Sequence, residues 1–234
     1  MKKTVFIILG FLVAILCSST AFAMTEPCQH EWILVEQENP TYSNPGFKDY
    51  ECEYCVATKH EIVPKRTMNV KQKKAVRPLL NFMAAAKAYN SRKILKCFAS
   101  KLHDPFSGRK TIKKIFRKYN KKYLSHDILV IKAGSKKGSI KVSIESPNLD
   151  DAFDKAYSAV LRYTNRHPNI SQKAANKYLD KKIKRYAKKY KHSIDEIDLR
   201  VKTIKTKKGW KIKKYNSRLL NCIDCDYDAF FEGL

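Results

Sequence analysis

The sequence predicts an α+β protein in which a small, zinc-ribbon-like β module precedes a larger domain of helices and antiparallel strands. Three observations predict this class: cysteines with metal-ligand spacing before residue 64, apolar residues at helical spacing from residue 75 onward, and alternating apolar stretches among those helices. The chain has 234 residues, enough for one or two domains. A hydrophobic content of 44% excludes a wholly disordered polybasic chain.

Residues 1–23 are typical of a cleaved signal peptide. Lys2 and Lys3 begin it, 12 apolar residues follow over 5–16, and Ala21-Phe22-Ala23 is a typical cleavage signature. This apolar run is shorter than the roughly 20 residues that span a bilayer. We therefore expect cleavage after Ala23 and a secreted or cell-surface mature chain without a transmembrane span. An uncleaved N-terminal anchor is the alternative.

Residues 24–64 form the predicted cysteine-rich module. Cys28 and His30 lie two residues apart, on one side of a strand-like stretch, and Cys52 and Cys55 form a C-x-x-C turn. Structural zinc takes four such sulfur and nitrogen ligands in a tetrahedron. A module this small buries too little apolar surface to be stable without a staple. The spacing predicts a structural Zn²⁺ site; a disulfide from Cys28 to Cys52 or Cys55 is the alternative.

The same block resembles the short cysteine-rich repeats of bacterial surface proteins. Those repeats contain C-x-H-x-W, then P-G-Y or P-G-F, then Y-x-C-x-x-C-G and K-x-x-x-I-P. The matching residues here are Cys28, His30, Trp32, Pro45-Gly46-Phe47, Tyr50, Cys52, Cys55, Lys59 and Val63-Pro64. Tyr42 replaces the middle cysteine of the repeat, and Val56 replaces its glycine. Three thiols and one imidazole are left, a set that suits a metal better than two disulfides.

A basic linker over residues 65–74 separates this module from an α+β domain predicted over 75–234. Apolar residues three and four apart indicate helices there, and strict alternation indicates antiparallel strands. The predicted elements are helices over 75–89, 91–98, 109–123, 149–161 and 171–190, a β-hairpin of 127–132 and 139–145, and strands around 197–201, 210–212 and 219–223.

The order of these elements is similar to that of small exported bacterial proteins with the cone-shaped fold of nuclear transport factor two. The matching pieces are an A-x-x-Y helix, a D-L-x-x-A-x-x-x-A-Y helix and a K-K-x-G-x-W-K-I strand. In this chain they are Ala86 to Tyr89, then Asn148, Leu149, Ala152, Ala156 and Tyr157, then Lys207 to Ile212. The resemblance implies a pocket, so a ligand carrier or an enzyme with this fold is one alternative function.

No catalytic motif supports an enzyme. The sequence contains no H-E-x-x-H, G-x-S-x-G or P-loop pattern. The four histidines after the module, His103, His126, His167 and His192, lie in predicted loops without a carboxylate partner at inward spacing. We therefore expect a non-enzymatic protein.

Cys222 and Cys225 form a second C-x-x-C pair. Redox pairs of this kind need a lowered thiol pKa, whereas Asp224 and Asp226 would raise it. A local bridge, or a bridge from one of the two to Cys97, is therefore the expected state of these disulfide candidates.

Basic residues are the strongest indication of function. The chain has 48 Lys+Arg against 22 Asp+Glu, a formal net charge of +26, and such a field attracts polyanions. Lysine outnumbers arginine 38 to 10, which disfavours bidentate recognition of bases and suits a non-specific polymer. The candidate polyanion-binding residues are Lys113, Lys114, Lys118, Lys181, Lys182, Lys184, Lys188, Lys189, Lys207 and Lys208.

We therefore expect an exported protein whose basic exterior binds anionic cell-envelope polymers or the membrane surface. An extracellular nucleic-acid-binding protein is an alternative, because Tyr186, Tyr190 and Trp210 lie among the bases as in stacking platforms for single strands. A third interpretation is a solvated lysine-rich surface without a ligand.

Overall fold

A computed structural model describes residues 28–101, 110–189, 193–214 and 216–224. The predicted signal peptide and Cys225 lie outside these residues. The described chain divides into two compact units. The smaller consists of residues 28–39 and Gly46–Val63, and the larger consists of Pro40–Pro45 and the described residues from Pro64 onward. None of the described helices has the length and apolar character to cross a membrane.

The smaller unit is a three-stranded antiparallel sheet. Its strands, β1 (Trp32–Glu38), β2 (Gly46–Cys52) and β3 (Thr58–Val63), lie in the order β1-β2-β3. Most side chains of β1 and β3 are exposed. The sheet therefore has almost no apolar core of its own, and its stability must come from another source.

The larger unit combines helices with a four-stranded antiparallel sheet. Its elements are α1 (Val70–Lys87), α2 (Ser91–Leu95), α3 (Lys110–Tyr123), β4 (Ser125–Ala133), β5 (Lys137–Pro147), α4 (Asp150–Arg166), α5 (Gln172–Lys189), β6 (Ile194–Thr206), β7 (Gly209–Ile212) and α6 (Ser217–Asp224). The strand order is β4-β5-β6-β7, so α4 and α5 are an insertion between two neighbouring strands. The predicted α+β class is confirmed, whereas the cone-shaped fold stays a prediction.

The core of the larger unit lies between one face of the sheet and the helices. Ile140, Val142 and Ile144 alternate inward along β5, as their spacing predicts, and all three are fully buried. Phe116 of α3 and Phe153 of α4 meet there with ring centroids 5.8 Å apart. Burial of these side chains holds α3 in place, and α3 carries part of the site described below.

Residues 40–45 connect β1 to β2 along the chain but pack within the larger unit. The Tyr42 amide donates to the Ile128 carbonyl at 3.0 Å. The Thr41 hydroxyl donates to the Asp127 carboxylate at 2.8 Å, and the side-chain amide of Gln72 donates to the Tyr42 hydroxyl at 3.1 Å. Tyr42 therefore contributes to the packing of the larger unit.

Helix α1 begins inside the predicted linker. Asn69 and Gln72 form a capping box: the Gln72 amide donates to the Asn69 side chain at 3.0 Å, and the Asn69 amide donates to the Gln72 side chain at 2.9 Å. This reciprocal pair satisfies two backbone groups that a helix start leaves unpaired. The helix consequently starts at Val70, five residues before the predicted boundary at residue 75.

The strand predicted at 219–223 is wrong, because these residues lie in helix α6. A short apolar run fits either a strand or a buried helix, and the tertiary contacts decide between them. Asn216 accepts a hydrogen bond from the Leu219 amide at 3.2 Å at the start of the helix. At its other end, the fully buried Asn120 donates to the Ile223 carbonyl at 2.8 Å.

Candidate functional site

Cys28, His30, Cys52 and Cys55 come together in the smaller unit. Their four ligand atoms all lie within 4.8 Å of one another. The Sγ atoms of Cys28 and Cys52 are 3.6 Å apart, and Cys55 Sγ lies 3.4 Å from His30 Nδ1. Tetrahedral zinc with bonds of about 2.3 Å to sulfur and about 2.0 Å to nitrogen separates its ligand atoms by about 3.5–3.8 Å. The four residues therefore lie close enough to bind a metal ion.

Strand pairing and a tight turn place these ligands. Trp32, just after the Cys28–His30 pair, lies opposite Cys52 in the sheet, and this register brings the two ligand pairs to the same end. The turn after Cys52 is closed by its amide, which donates to the Ala57 carbonyl at 2.9 Å. The Tyr54 amide donates to Cys52 Sγ at 3.4 Å, as outer-shell donors do to metal-bound thiolates.

The thiols in this cluster differ in their affinity for protons. Burial alone would raise the pKa of Cys52, but hydrogen bonds from His30 and the Tyr54 amide outweigh it and lower the pKa to about 6. The hydrogen bond with Cys52 raises the pKa of Cys28 to about 11. Cys28 thus holds its proton more tightly than Cys52 does, and a cation bound by the thiolates would displace protons from the cluster.

None of the disulfides considered as alternatives is formed among the described residues. Cys28 and Cys52 are free thiols with sulfurs 3.6 Å apart, against about 2.05 Å in a disulfide. Cys97 and Cys222 are also free and buried. Each donates to the carbonyl four residues earlier, Lys93 and Arg218 respectively, and burial raises the pKa of both. A bridge to Cys225 lies outside the described residues and stays a prediction.

Two helices of the larger unit bring several of the predicted lysines to one place. A groove of about 470 Å³ runs between α3 and α5. Its lining residues are Thr111, Lys114, Ile115, Lys118 and Tyr119 from α3, and Lys184, Arg185, Ala187 and Lys188 from α5. The five cations are exposed. No acidic residue is among the lining residues in the part of the chain that the structure describes.

The floor of this groove, Ile115, Tyr119 and Ala187, is buried and apolar. The Tyr119 hydroxyl donates to the Ala187 carbonyl at 2.8 Å, which joins the two helices. Burial raises the pKa of Tyr119, so its hydroxyl keeps the proton that this hydrogen bond needs. The hydroxyl proton is thus already donated within the protein, and the floor presents mainly carbon atoms to a ligand.

Four of the ten predicted lysines line this groove, and the other six lie elsewhere. Lys113, Lys181 and Lys189 are on the same two helices, and Lys182 Nζ lies over the Tyr178 ring at 4.9 Å from its centroid. Lys207 and Lys208 form the β6–β7 turn with Gly209, whose φ of 102° favours glycine. Arg185 is an addition to the predicted set; its position, three residues before Lys188, could have indicated it.

A second basic groove was not predicted at all. It has a volume of about 570 Å³ and includes Lys132, Lys137, Lys202 and Lys213 in its lining. Strand register creates it: Lys132 pairs with Ser139, which pairs with Lys202, whose carbonyl accepts from the Lys213 amide at 2.8 Å. Because these residues come from four different chain segments, only the sheet pairing brings them together.

The histidines provide no catalytic pair in a cavity of the described chain. His126 lies in β4 and not in the predicted loop, and burial followed by the charge of Lys87 lowers its pKa. Its neighbour Asp127 already accepts the Thr41 hydroxyl. His60 Nδ1 lies 2.5 Å from Asp49 Oδ1, a pair that the sequence did not indicate, but the His60 side chain is 57% exposed on an open sheet.

No model of a protein family matches the chain, and no curated protein matches it. Among solved structures, the chain is similar to the crystal structure of a putative lipoprotein (ycdA) from Bacillus subtilis subsp. subtilis str. 168. The two are 12% identical, with a TM-score of 0.43, over 80% of this chain and 68% of that one. A superposition at this score assigns no role to any residue of this chain.

Proposed function

We propose that this is an exported, non-enzymatic protein that binds anionic polymers of the cell envelope through the groove between α3 and α5. One observation carries the proposal: five exposed cations, Lys114, Lys118, Lys184, Arg185 and Lys188, converge on one groove. Convergent cations concentrate a field of several kT and draw in polyanions. Four of the five are lysines, which hold a phosphate as point charges and without fixed geometry.

A structural Zn²⁺ bound by Cys28, His30, Cys52 and Cys55 forms the second part of this proposal. Two of the ligand spacings, 3.6 Å between the sulfurs of Cys28 and Cys52 and 3.4 Å between Cys55 Sγ and His30 Nδ1, are close to those of a tetrahedral site, and all four ligand atoms lie within 4.8 Å of one another. A set of three thiolates and one imidazole would be closed, with no position for a catalytic water. The nearly coreless sheet of the smaller unit needs such a staple. The ion would supply stability and no chemistry.

Titration of the mature chain with purified teichoic acid tests the polymer proposal. Replacing Lys114, Lys118, Lys184 and Lys188 by Gln should weaken binding by more than about tenfold at about 0.15 M salt and flatten the dependence of log K on log salt. The matched control removes the same charge elsewhere, by Lys71→Gln, Lys73→Gln, Lys74→Gln and Lys205→Gln. Equal losses in both variants would show that the net charge, and not the groove, binds the polymer.

Nucleic acid is the second candidate ligand, because Trp210 is half-buried beside Lys93, Lys96 and Lys211 at a separate cavity of about 420 Å³. Aromatic rings among bases can stack on unpaired nucleotides. Single-stranded DNA should then quench Trp210 fluorescence and bind with a steeper salt dependence than teichoic acid does. Unchanged Trp210 emission at saturating DNA would reject this candidate.

A further inference from the structure

The groove between α3 and α5 has two chemically different surfaces. Cations occupy its rim, whereas Ile115, Tyr119 and Ala187 form an apolar floor. A site made only for a hydrophilic polyanion would have polar groups on both surfaces, since each ligand oxygen that loses water needs a hydrogen-bond partner.

The floor has little to offer a polar ligand. The Tyr119 hydroxyl is already a donor to the Ala187 carbonyl at 2.8 Å. Ile115 and Ala187 side chains have no polar atom, and Thr111 brings a hydroxyl one helical turn before Ile115. Carbon chains, which lose nothing when they leave water, match such a floor.

The lysines of the rim repel one another when no anion is bound between them. Lys114 and Lys118 are four residues apart on α3, and Lys184 and Lys188 are four residues apart on α5. Like charges at this spacing destabilise a helix, and here two such pairs border the same groove. An anion bound between them would remove this repulsion, so the rim selects a negatively charged group.

We propose that the groove binds an anionic lipid, with an acyl chain along the floor and its phosphate between the lysine pairs of the rim. This inference rests on the proposed function, because it uses the same groove, and it names the lipid part of the envelope as a ligand class of that site. The volume of about 470 Å³ lies within the range of small-ligand pockets.

A series of n-alkyl phosphates from butyl to decyl phosphate, each below its critical micelle concentration, tests this inference on the mature chain. Each methylene that the floor buries should tighten binding by about fourfold, and each pair of methylenes by about 15-fold, until the groove is filled. Affinity that does not change with chain length would overturn the inference.

Variants of the two surfaces should change two different properties of this series. Lys114→Gln with Lys184→Gln should weaken every member by a similar factor and preserve the dependence on chain length. Ile115→Ser should reduce that dependence while the shortest member binds as before, and Ile115→Val should restore it. Circular dichroism checks that the Ile115→Ser variant is folded. If this variant is unfolded, Thr111→Tyr replaces it: the larger side chain should fill the end of the groove and shorten the longest alkyl chain that the groove accepts.

The two proposals fail in different ways. Groove-dependent binding of teichoic acid together with a flat chain-length series would refute the lipid inference and leave the polymer proposal standing. A steep series without groove-dependent binding of teichoic acid would refute the polymer proposal alone. Vesicles containing phosphatidylglycerol, with phosphatidylcholine vesicles as the control, extend the result to a lipid surface: only the anionic vesicles should bind, and the double lysine variant should bind them more weakly than the wild-type chain does.

Discussion

The side chain of Trp32 lies next to the cysteine–histidine cluster, with its ring centroid 4.9 Å from that of His30. Because the indole ring lies this close to His30, the fluorescence of Trp32 should depend on whether a metal ion holds the imidazole in place. The only other tryptophan of the chain is Trp210, so one replacement isolates the signal. At the residue scale, Trp32 is therefore the probe for the predicted metal site.

Removal of the proposed zinc ion from a Trp210→Phe protein by a chelator should shift Trp32 emission towards that of an exposed indole, because loss of the ion frees His30 and the strands that the ligands hold together. Cys55→Ser should produce the same emission without a chelator and should lower the zinc content from about one per chain to near zero. Mass spectrometry of the metal content and fluorescence provide the two measurements. Cys97→Ser, at a buried thiol outside the cluster, should leave the zinc content unchanged.

At the scale of a single helix, the Asn69 side chain determines where α1 begins. Its reciprocal hydrogen bonds with Gln72 start α1 within the stretch that composition alone describes as a basic linker. At the other end of the larger unit, Asn216 has a comparable role in α6. In both cases one polar side chain, and not the apolar pattern, determines the residue at which the helix begins.

Asn69→Ala should lower the free energy of unfolding of the larger unit by about 1 kcal/mol. The cause is the loss of an acceptor for the Gln72 amide at the helix start. Urea denaturation followed by circular dichroism measures the change. Lys71→Ala, an exposed position in the first turn of α1, should change it by less than about 0.5 kcal/mol; equal effects of the two substitutions would contradict the capping argument.

The facing lysines of α3 and α5 should make anion binding and stability depend on each other. A saturating anionic ligand binds only the folded groove and so should raise the melting temperature of the wild-type chain. Lys184→Glu puts a carboxylate at the rim, which should weaken binding of that ligand by at least about tenfold and make the rise in melting temperature clearly smaller. Scanning calorimetry with and without ligand measures both. Lys181→Glu, on the same helix but outside the groove lining, should keep the rise.

The distribution of charge is a property of the whole molecule. Residues 28–63 have seven carboxylates and two lysines, whereas residues 64–234 have 44 Lys+Arg and 14 Asp+Glu. The smaller unit is thus acidic, and all of the excess positive charge of the folded chain belongs to the larger unit. We therefore expect the attraction to polyanions to come from the larger unit, while the smaller unit contributes a stapled sheet.

Because the two units have separate sources of stability, chelation should affect only one of them. The larger unit has its apolar core, whereas we propose that the smaller sheet depends on an ion held by its four candidate ligands. Thermal unfolding of the mature chain should show two transitions, of which a chelator removes or lowers the one reported by Trp32 and leaves the other within about 2 °C. A single transition that moves as a whole on chelation would disprove this division.

Features that depend on short stretches of chain could be predicted from the sequence. C-x-H and C-x-x-C spacing indicated four residues that the structure brings within 4.8 Å, because short spacings on a stretch of chain just before a strand and across a tight turn are local geometry. The long helices and the inward row of β5 followed from their periods. The predicted export and polymer binding rest on the leader and on the net charge, and both stay predictions.

The sequence by itself determined the α+β class, the ligand cluster and the excess of lysine. Only the tertiary structure decided which lysines lie together, since Lys114 and Lys184 are 70 positions apart and line one groove through the packing of α3 on α5. It also decided that 219–223 is helical and that Lys132, Lys202 and Lys213 share a groove. The physical reason is the same in each case: contacts between distant segments depend on which buried surfaces pack together, and no local period encodes that choice.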